Sequence, residues 1–182
     1  MFGDPVANSR NWAVKSLLNL GDFKNGLNFH KEEVGINLRC LGVGDFKNFS
    51  VINDVRKLPL VSLNEKPSLE YLLRDGDIVF VRSNGNKELV GRCLVVYTCG
   101  VPTTFSGFCI RYRLNNNTLN IMYLLHVLKS ESVRSKMMGR GANIQNLNQQ
   151  ILAAINVPIP PIDLQNQFAD FVAQVDKSKF WQ

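Results

Sequence analysis

The chain of 182 residues holds only two histidines, and its four cysteines form no CxxC pair. Cys40, Cys93, Cys99 and Cys109 also lack a nearby histidine pair, so the ligand spacings of a zinc site are absent and no metal is expected. A chain of this length does not need disulfides, and buried, reduced thiols are the expectation. His30 and His126 have no Cys, Asp or Glu at ligand or triad spacing. His126 lies inside the apolar run 121–128 and is expected as a hydrogen-bonded core or boundary residue. No stretch approaches the ~20 apolar residues of a membrane span. Residues 1–12 have neither the basic nor the apolar region of a signal peptide. A soluble, unexported, cytoplasmic protein is expected. Phosphate-loop, serine-elbow and HExxH motifs are missing, and Gly42-Val43-Gly44-Asp45 lacks the third glycine of a dinucleotide fingerprint. No catalytic residue and no cofactor are expected in this chain. Asp75 and Asp77 flank Gly76 ahead of a strand, where carboxylates bond turn amides more readily than they perform acid–base chemistry.

What is present is a globular composition: 45% hydrophobic and 20% charged residues, with 11 Phe, which excludes the disordered and collagen-like classes. At ~150 residues per domain the length predicts one domain with an appendage. The net charge of +6 is concentrated. Residues 111–140 carry Arg111, Arg113, Lys129, Arg134, Lys136 and Arg140 against Glu131 alone, a local excess of +5. Such an asymmetry suits a polyanion-facing surface, and a solvated helix face is the plain alternative. From this segment Arg111, Arg113, Lys136 and Arg140 are the expected phosphate contacts.

The pattern along the chain reads as α+β: a single domain of mixed strands and short helices, followed by a projecting C-terminal amphipathic helix. Residues 12–20 form a short opening element closed by Gly21-Asp22, and 36–43 have strand character. Residues 78–81 and 89–98 bracket Ser83-Asn84-Gly85-Asn86 as a hairpin with an Asn-Gly turn. Residues 108–114 alternate as a further strand with Arg111 and Arg113 on one face, an arrangement not expected to be buried on both sides. Thr118 is placed to cap an apolar helix over 119–128, a basic helix follows over 130–138, and a short one over 146–155. Val157 to Pro161 is expected to be extended. Asp163 then caps a last helix whose Leu164, Phe168, Phe171 and Val175 fall on a heptad seam and serve helix packing. Phe168 and Phe171 are expected to fold back on the domain, leaving Phe180 and Trp181 as an exposed apolar end and the chain monomeric or weakly self-associating.

Amide and guanidinium side chains are dense around Arg82, Asn84 and Asn86, and again around Arg140, Asn143 and Gln145. Arg reads guanine and Asn or Gln reads adenine in the major groove, so Arg82, Asn84, Asn86, Asn143 and Gln145 are the expected base-reading residues. For residues 83–86 an ordinary hairpin turn explains the composition equally well.

Three motifs stand in order: Gly76-Asp77-Ile78-Val79-Phe80-Val81-Arg82-Ser83, Gly141-Ala142-Asn143-Ile144-Gln145-Asn146-Leu147-Asn148, and Ile159-Pro160-Pro161-Ile162-Asp163-Leu164-Gln165-Asn166-Gln167-Phe168. With the opening Met1-Phe2-Gly3-Asp4-Pro5 and Trp12, they make essentially the whole chain resemble the specificity subunit of type I restriction-modification systems. The resemblance implies a DNA target-recognition domain over 1–160 and the start of a spacer or dimerisation helix over 161–182. It implies a non-catalytic subunit that reads one half of a bipartite double-stranded DNA target. It also implies docking to a methyltransferase subunit and, through it, to the restriction subunit, with the chemistry in those partners. Family members usually carry two such domains, or one with a complete long helix; this chain has one domain and a helix that stops at Gln182. A half subunit, a fragment or a truncated remnant is expected, and a protein-binding scaffold without DNA affinity is the competing reading.

Overall fold

The segment Asp77–Val81 is apolar after its first residue, and it sits at the centre of a sheet with both faces covered. The computed structural model of the chain describes residues 2–30, 32–46, 50–138 and 146–179. Its strands are β1 (Ala13–Ser16), β2 (Gly21–Asn25), β3 (Ile36–Leu41), β4 (Val51–Ile52), β5 (Leu60–Leu63), β6 (Asp77–Val81), β7 (Cys93–Val96), β8 (Thr103–Phe105), β9 (Cys109–Leu114) and β10 (Asn156–Ile159). Its helices are α1 (Ile121–Lys129), α2 (Glu131–Met138), α3 (Gln149–Ala153) and α4 (Ile162–Lys179).

Five strands pair in the order β2–β9–β6–β7–β4, antiparallel except for β4 beside β7. Three more pair as β5–β3–β8, and β1 pairs with β10 as an antiparallel ribbon. Strand alternation divides the apolar residues of the large sheet between two cores. Ile78, Phe80, Val95, Ile110 and Tyr112 pack with α1 residues Tyr123, Leu124 and Leu128. Val79, Val81, Leu94, Val96 and Cys109 pack on the other side with Leu41, Phe46, Val55 and Phe105. The α+β class expected from the sequence is the class observed, and α4 follows the mixed sheets and short helices.

Local chemistry moved several boundaries. Gly21-Asp22 opens β2 instead of closing the first element. The hairpin of β6 and β7 exists, but its connection runs over residues 82–92 and contains a 3-10 turn, Lys87–Leu89. Asn84 there accepts from the Asn86 amide and Asn86 from the Glu88 amide, so both serve side-chain turns instead of a two-residue Asn-Gly turn. Asn120, not Thr118, caps α1 by accepting from the Met122 and Tyr123 amides, while Thr118 donates to Asn116. Helix α4 begins at Ile162, with the Pro161 carbonyl accepting from Leu164 and Gln165, so Asp163 lies in the first turn where its charge suits the helix dipole. Cys40, Cys93 and Cys109 are buried free thiols, and burial pushes the first two up to about 12. Cys99 departs from the expectation and is exposed, in a left-handed conformation at φ 49°. His126 is a boundary residue as expected: its Nδ1 lies 2.8 Å from the Met122 carbonyl and its ring meets Phe168 edge-on.

Candidate nucleic-acid interface

Four connections meet at one end of the five-stranded sheet. Strand β9 runs antiparallel to β2 and β6, so Cys109 and Ile110 at its start lie beside Val81 and Asn25 at their ends, and Cys93 opens β7 across from Phe80. Residues 26–28, 82–92, 106–108 and 146–148 therefore converge. Backbone bonds join them: Gly107 donates to the Leu27 carbonyl at 2.6 Å, Arg82 to the Phe108 carbonyl at 2.8 Å, and Leu147 to the Arg82 carbonyl at 2.8 Å. Ser83 and Asn146 form a bridge, and Gln149 donates to Asn25 at 3.0 Å. The approach is so close that a Cβ on Gly26 would stand 2.1 Å from the Ser106 carbonyl oxygen, and one on Gly107 1.9 Å from Asn28 Oδ1. Only glycine fits at Gly26, where the clash is with backbone, while a side chain at Gly107 would have to displace the Asn28 amide.

This end of the sheet presents Arg82, Asn84 and Asn86 together. Arg82 is partly buried and spends one guanidinium nitrogen on the Gly107 carbonyl at 3.3 Å. The carbonyl oxygens of Asn84 and Asn86 each accept a bond from a turn amide. Helix α2 abuts the same end: Met138 Sδ lies 3.7 Å from the position of a Cβ on Gly91, and Arg134 donates to the Glu88 and Val90 carbonyls. Lys136 is exposed in the last turn of α2. Its charge reaches Asp4, whose carboxyl is held below its usual range first by the Ala7 amide and then by the Ser132 hydroxyl, with Lys136 assisting. Arg140, Asn143 and Gln145 lie outside the described residues.

Arg111 and Arg113 stand elsewhere and are otherwise engaged. Arg111 is 2% exposed on the inner face of β9 and pairs with Asp22 on β2. Arg113 lies four residues beyond the start of β9, ~13 Å from the converging loops at strand rise. It grips Asp77 with Nε at 2.8 Å and Nη2 at 2.7 Å, and also donates to the Leu72 carbonyl. Asp77, 1% exposed, raises the Arg113 pKa further by this bond. The expectation that one face of this strand is open, with two arginines free for phosphates, is therefore corrected: the positive charges are consumed by carboxylates that other strands bring to them. Lys24 completes the row, paired with Glu70 at 2.6 Å and seated 4.3 Å from the centre of the Tyr71 ring. Asp75 performs the turn chemistry expected of it, accepting from the Thr98 amide and hydroxyl and from the Cys99 amide.

Sequence reasoning missed Asn25, Asn28 and Phe108. The signal available was a glycine among polar or aromatic residues in both Asn25-Gly26-Leu27-Asn28 and Ser106-Gly107-Phe108.

The helix-packing residues divide along α4. Leu164 and Phe168 are partly buried, and Phe168 meets Phe2 at 5.4 Å and Tyr123 at 6.4 Å, both edge-on. Phe171 is 60% exposed, which corrects its expected place over the domain core; three residues on, it has turned past the contact made by Phe168. Val175 is partly buried. Gln165, fully buried, was not foreseen. It donates to the Thr118 and Pro160 carbonyls and accepts from the Asn120 amide, tying α4 to the cap of α1. Phe180 and Trp181 lie outside the described residues.

Rigid loops carrying amides and a guanidinium beside a basic helix define a recognition domain, and among the described residues no group of His, Cys, Asp and Glu could hold a metal ion. The chain belongs to the type I restriction modification DNA specificity domain family, whose model matches residues 9–180. It is 28% identical over 158 residues to the StySPI specificity subunit of a type I restriction enzyme from Salmonella potsdam, a match covering 85% of this chain and 34% of that protein. It is 26% identical over 174 residues to the putative MjaX specificity subunit from Methanocaldococcus jannaschii, covering 91% and 39%. The chain thus spans between a third and two fifths of the length of these curated relatives. The crystal structure of the HsdS subunit from Thermoanaerobacter tengcongensis shares the fold with a TM-score of 0.62 at 17% identity, over 93% of this chain and 38% of that one. The S subunit from M. genitalium does so with a TM-score of 0.59 at 17% identity, over 95% and 41%. The curated relatives are specificity subunits of type I restriction enzymes. Among the described residues no helix is long and apolar enough to cross a membrane.

Proposed function

We propose that this chain reads one half of a split target in double-stranded DNA and docks a methyltransferase subunit, through which it joins the restriction subunit. The observation that carries the reading is the convergence of Arg82, Asn84 and Asn86 with the end of α2 on interlocked loops at one sheet end. Fixed donors at the edge of a rigid scaffold suit base reading, because an immobile side chain loses little entropy on binding. Arg82, Asn84 and Asn86, with Asn143 and Gln145, are the base readers; Lys136 and Arg140 meet phosphate. With their carbonyls occupied, Asn84 and Asn86 suit acceptors such as guanine N7 and O6 or thymine O4 better than bidentate adenine. Residues 1–160 form the recognition domain, and 161–182 begin the spacer helix, through which the chain self-associates weakly. The cytoplasm is its compartment, and no cofactor binds to this chain.

Selection of bound duplexes from a random DNA pool tests the reading. A short enriched motif is expected, relaxed at one position by Asn84→Ala. A pool that stays unenriched, with no retention of DNA at low salt, leaves the scaffold reading in its place.

A further inference from the structure

The turn Ser106-Gly107-Phe108 is held from every side. Gly107 donates to the Leu27 carbonyl and accepts from the Arg82 guanidinium. The Phe108 amide bonds Ser106 Oγ at 3.3 Å, and its carbonyl accepts from Arg82 at 2.8 Å and Ser83 at 3.3 Å. Cys109 donates back to the Ser106 carbonyl at 2.8 Å. Asn28 fills the space where any larger residue at 107 would place its Cβ. This much backbone fixation serves to present one side chain, the Phe108 ring, which is 60% exposed and belongs to neither hydrophobic core. A lone exposed aromatic is commonplace. One mounted on a pinned turn, with its own carbonyl bonded to the amide of a proposed base reader, is placed to share that residue's surface.

We propose that Phe108 makes an apolar contact with the C5-methyl group of a thymine in the major groove of the target half-site. The inference rests on the DNA-reading function proposed above and adds a residue and a base to it. The polar neighbours supply donors to acceptor atoms on base edges. The methyl group is the apolar feature of those edges, and a phenyl ring is among the side chains that read it. Such a contact carries no charge, so it contributes to sequence preference and leaves the salt dependence of binding unchanged.

The test uses the full chain and the duplex motif enriched by selection, with each thymine replaced in turn by uracil to delete one methyl group. For the wild-type chain, one uracil substitution is expected to weaken binding about fourfold, the worth of one buried methyl-sized group. For Phe108→Ala that substitution is expected to have no effect, while the thermal midpoint of the variant falls only slightly because most of the side chain is exposed. Phe108→Leu is expected to keep part of the sensitivity. A uracil profile that is flat in the wild type, or unchanged in Phe108→Ala, overturns the inference while the DNA-reading function stands. Emission from 2-aminopurine that rises with the wild type and not with Phe108→Ala shows the ring inserting between bases, and also overturns the methyl contact. A wild-type chain that enriches no motif overturns both.

Discussion

Arg113 and Asp77 face each other across β9 and β6 near the ends of these two interior strands, and the pair separates two roles that one arginine could play. A phosphate contact needs positive charge; a carboxylate clamp needs the planar fork. Arg113→Ala is expected to cost about 3 kcal/mol, because it strands a buried carboxylate. Arg113→Lys keeps the charge and loses the fork, and is expected to cost about 1.5 kcal/mol. Urea unfolding of both variants measures this. If stability stays at the wild-type value while DNA affinity falls, the arginine is a phosphate contact after all. Asp75 gives the matching acid-side prediction. The Thr98 hydroxyl, then the Thr98 and Cys99 amides, hold its carboxyl below the ordinary value of 3.8. Its stabilisation is therefore complete above that value and is lost as pH falls through the lower folded-state value. Asp75→Ala is expected to be less stable than wild type at pH 6 and to lose less on acidification to pH 3. Parallel acid limbs in urea titrations of the two proteins would refute the assignment.

At the scale of elements, the buried amide of Gln165 decides how α4 leaves the domain. Replacing it with Ala leaves the Asn120 amide and the Thr118 and Pro160 carbonyls without their partner. A cost of about 2–4 kcal/mol is expected, since each stranded buried group costs roughly 1–3 and water will satisfy some. Gln165→Glu keeps the acceptor and loses both donations, so it should also destabilise. Hydrogen exchange at Asn120, faster in the Ala variant, would locate the effect; unchanged exchange would show that the tie is dispensable. Strands β6 and β9 were legible because the apolar run of one and the alternation of the other are local, and the basic α2 and amphipathic α4 were legible for the same reason. The fate of the arginines was not. Arg111 meets an aspartate 89 residues away and Arg113 one 36 away, and no window of sequence contains such a pairing. The Asn-Gly signal at 84–85 misled because side-chain turns at Asn84 and Asn86 satisfy the same composition as a two-residue hairpin loop. Arg82 and Asn84 were found by residue type, whereas Phe108 depends on three segments meeting, which only the strand order brings about.

Across the whole molecule, strand pairing redistributes a charge that composition can only count. The net is +6, and residues 111–140 alone hold an excess of +5. Asp22 and Asp77, both outside that segment, neutralise Arg111 and Arg113 and reduce its effective excess to +3. Elsewhere Glu70 offsets Lys24 and Asp54 offsets Arg56, while Lys136 on α2 stays exposed. This has a measurable consequence, because each phosphate neutralised releases close to one counterion. With the two proposed phosphate contacts, Lys136 and Arg140, and the charge of Arg82 at the base edges, log K should fall with log salt at a slope of about −2 to −3. Lys136→Ala should make that slope shallower by about 1 and weaken all sequences alike, since a phosphate carries no base identity. Arg111→Lys, by contrast, should leave the slope unaltered. Binding measured from low to physiological salt checks all three. A wild-type slope near −5 would mean that more cations than Lys136, Arg140 and Arg82 meet DNA; were Arg111 and Arg113 among them, β9 would have to surrender both of its carboxylate partners.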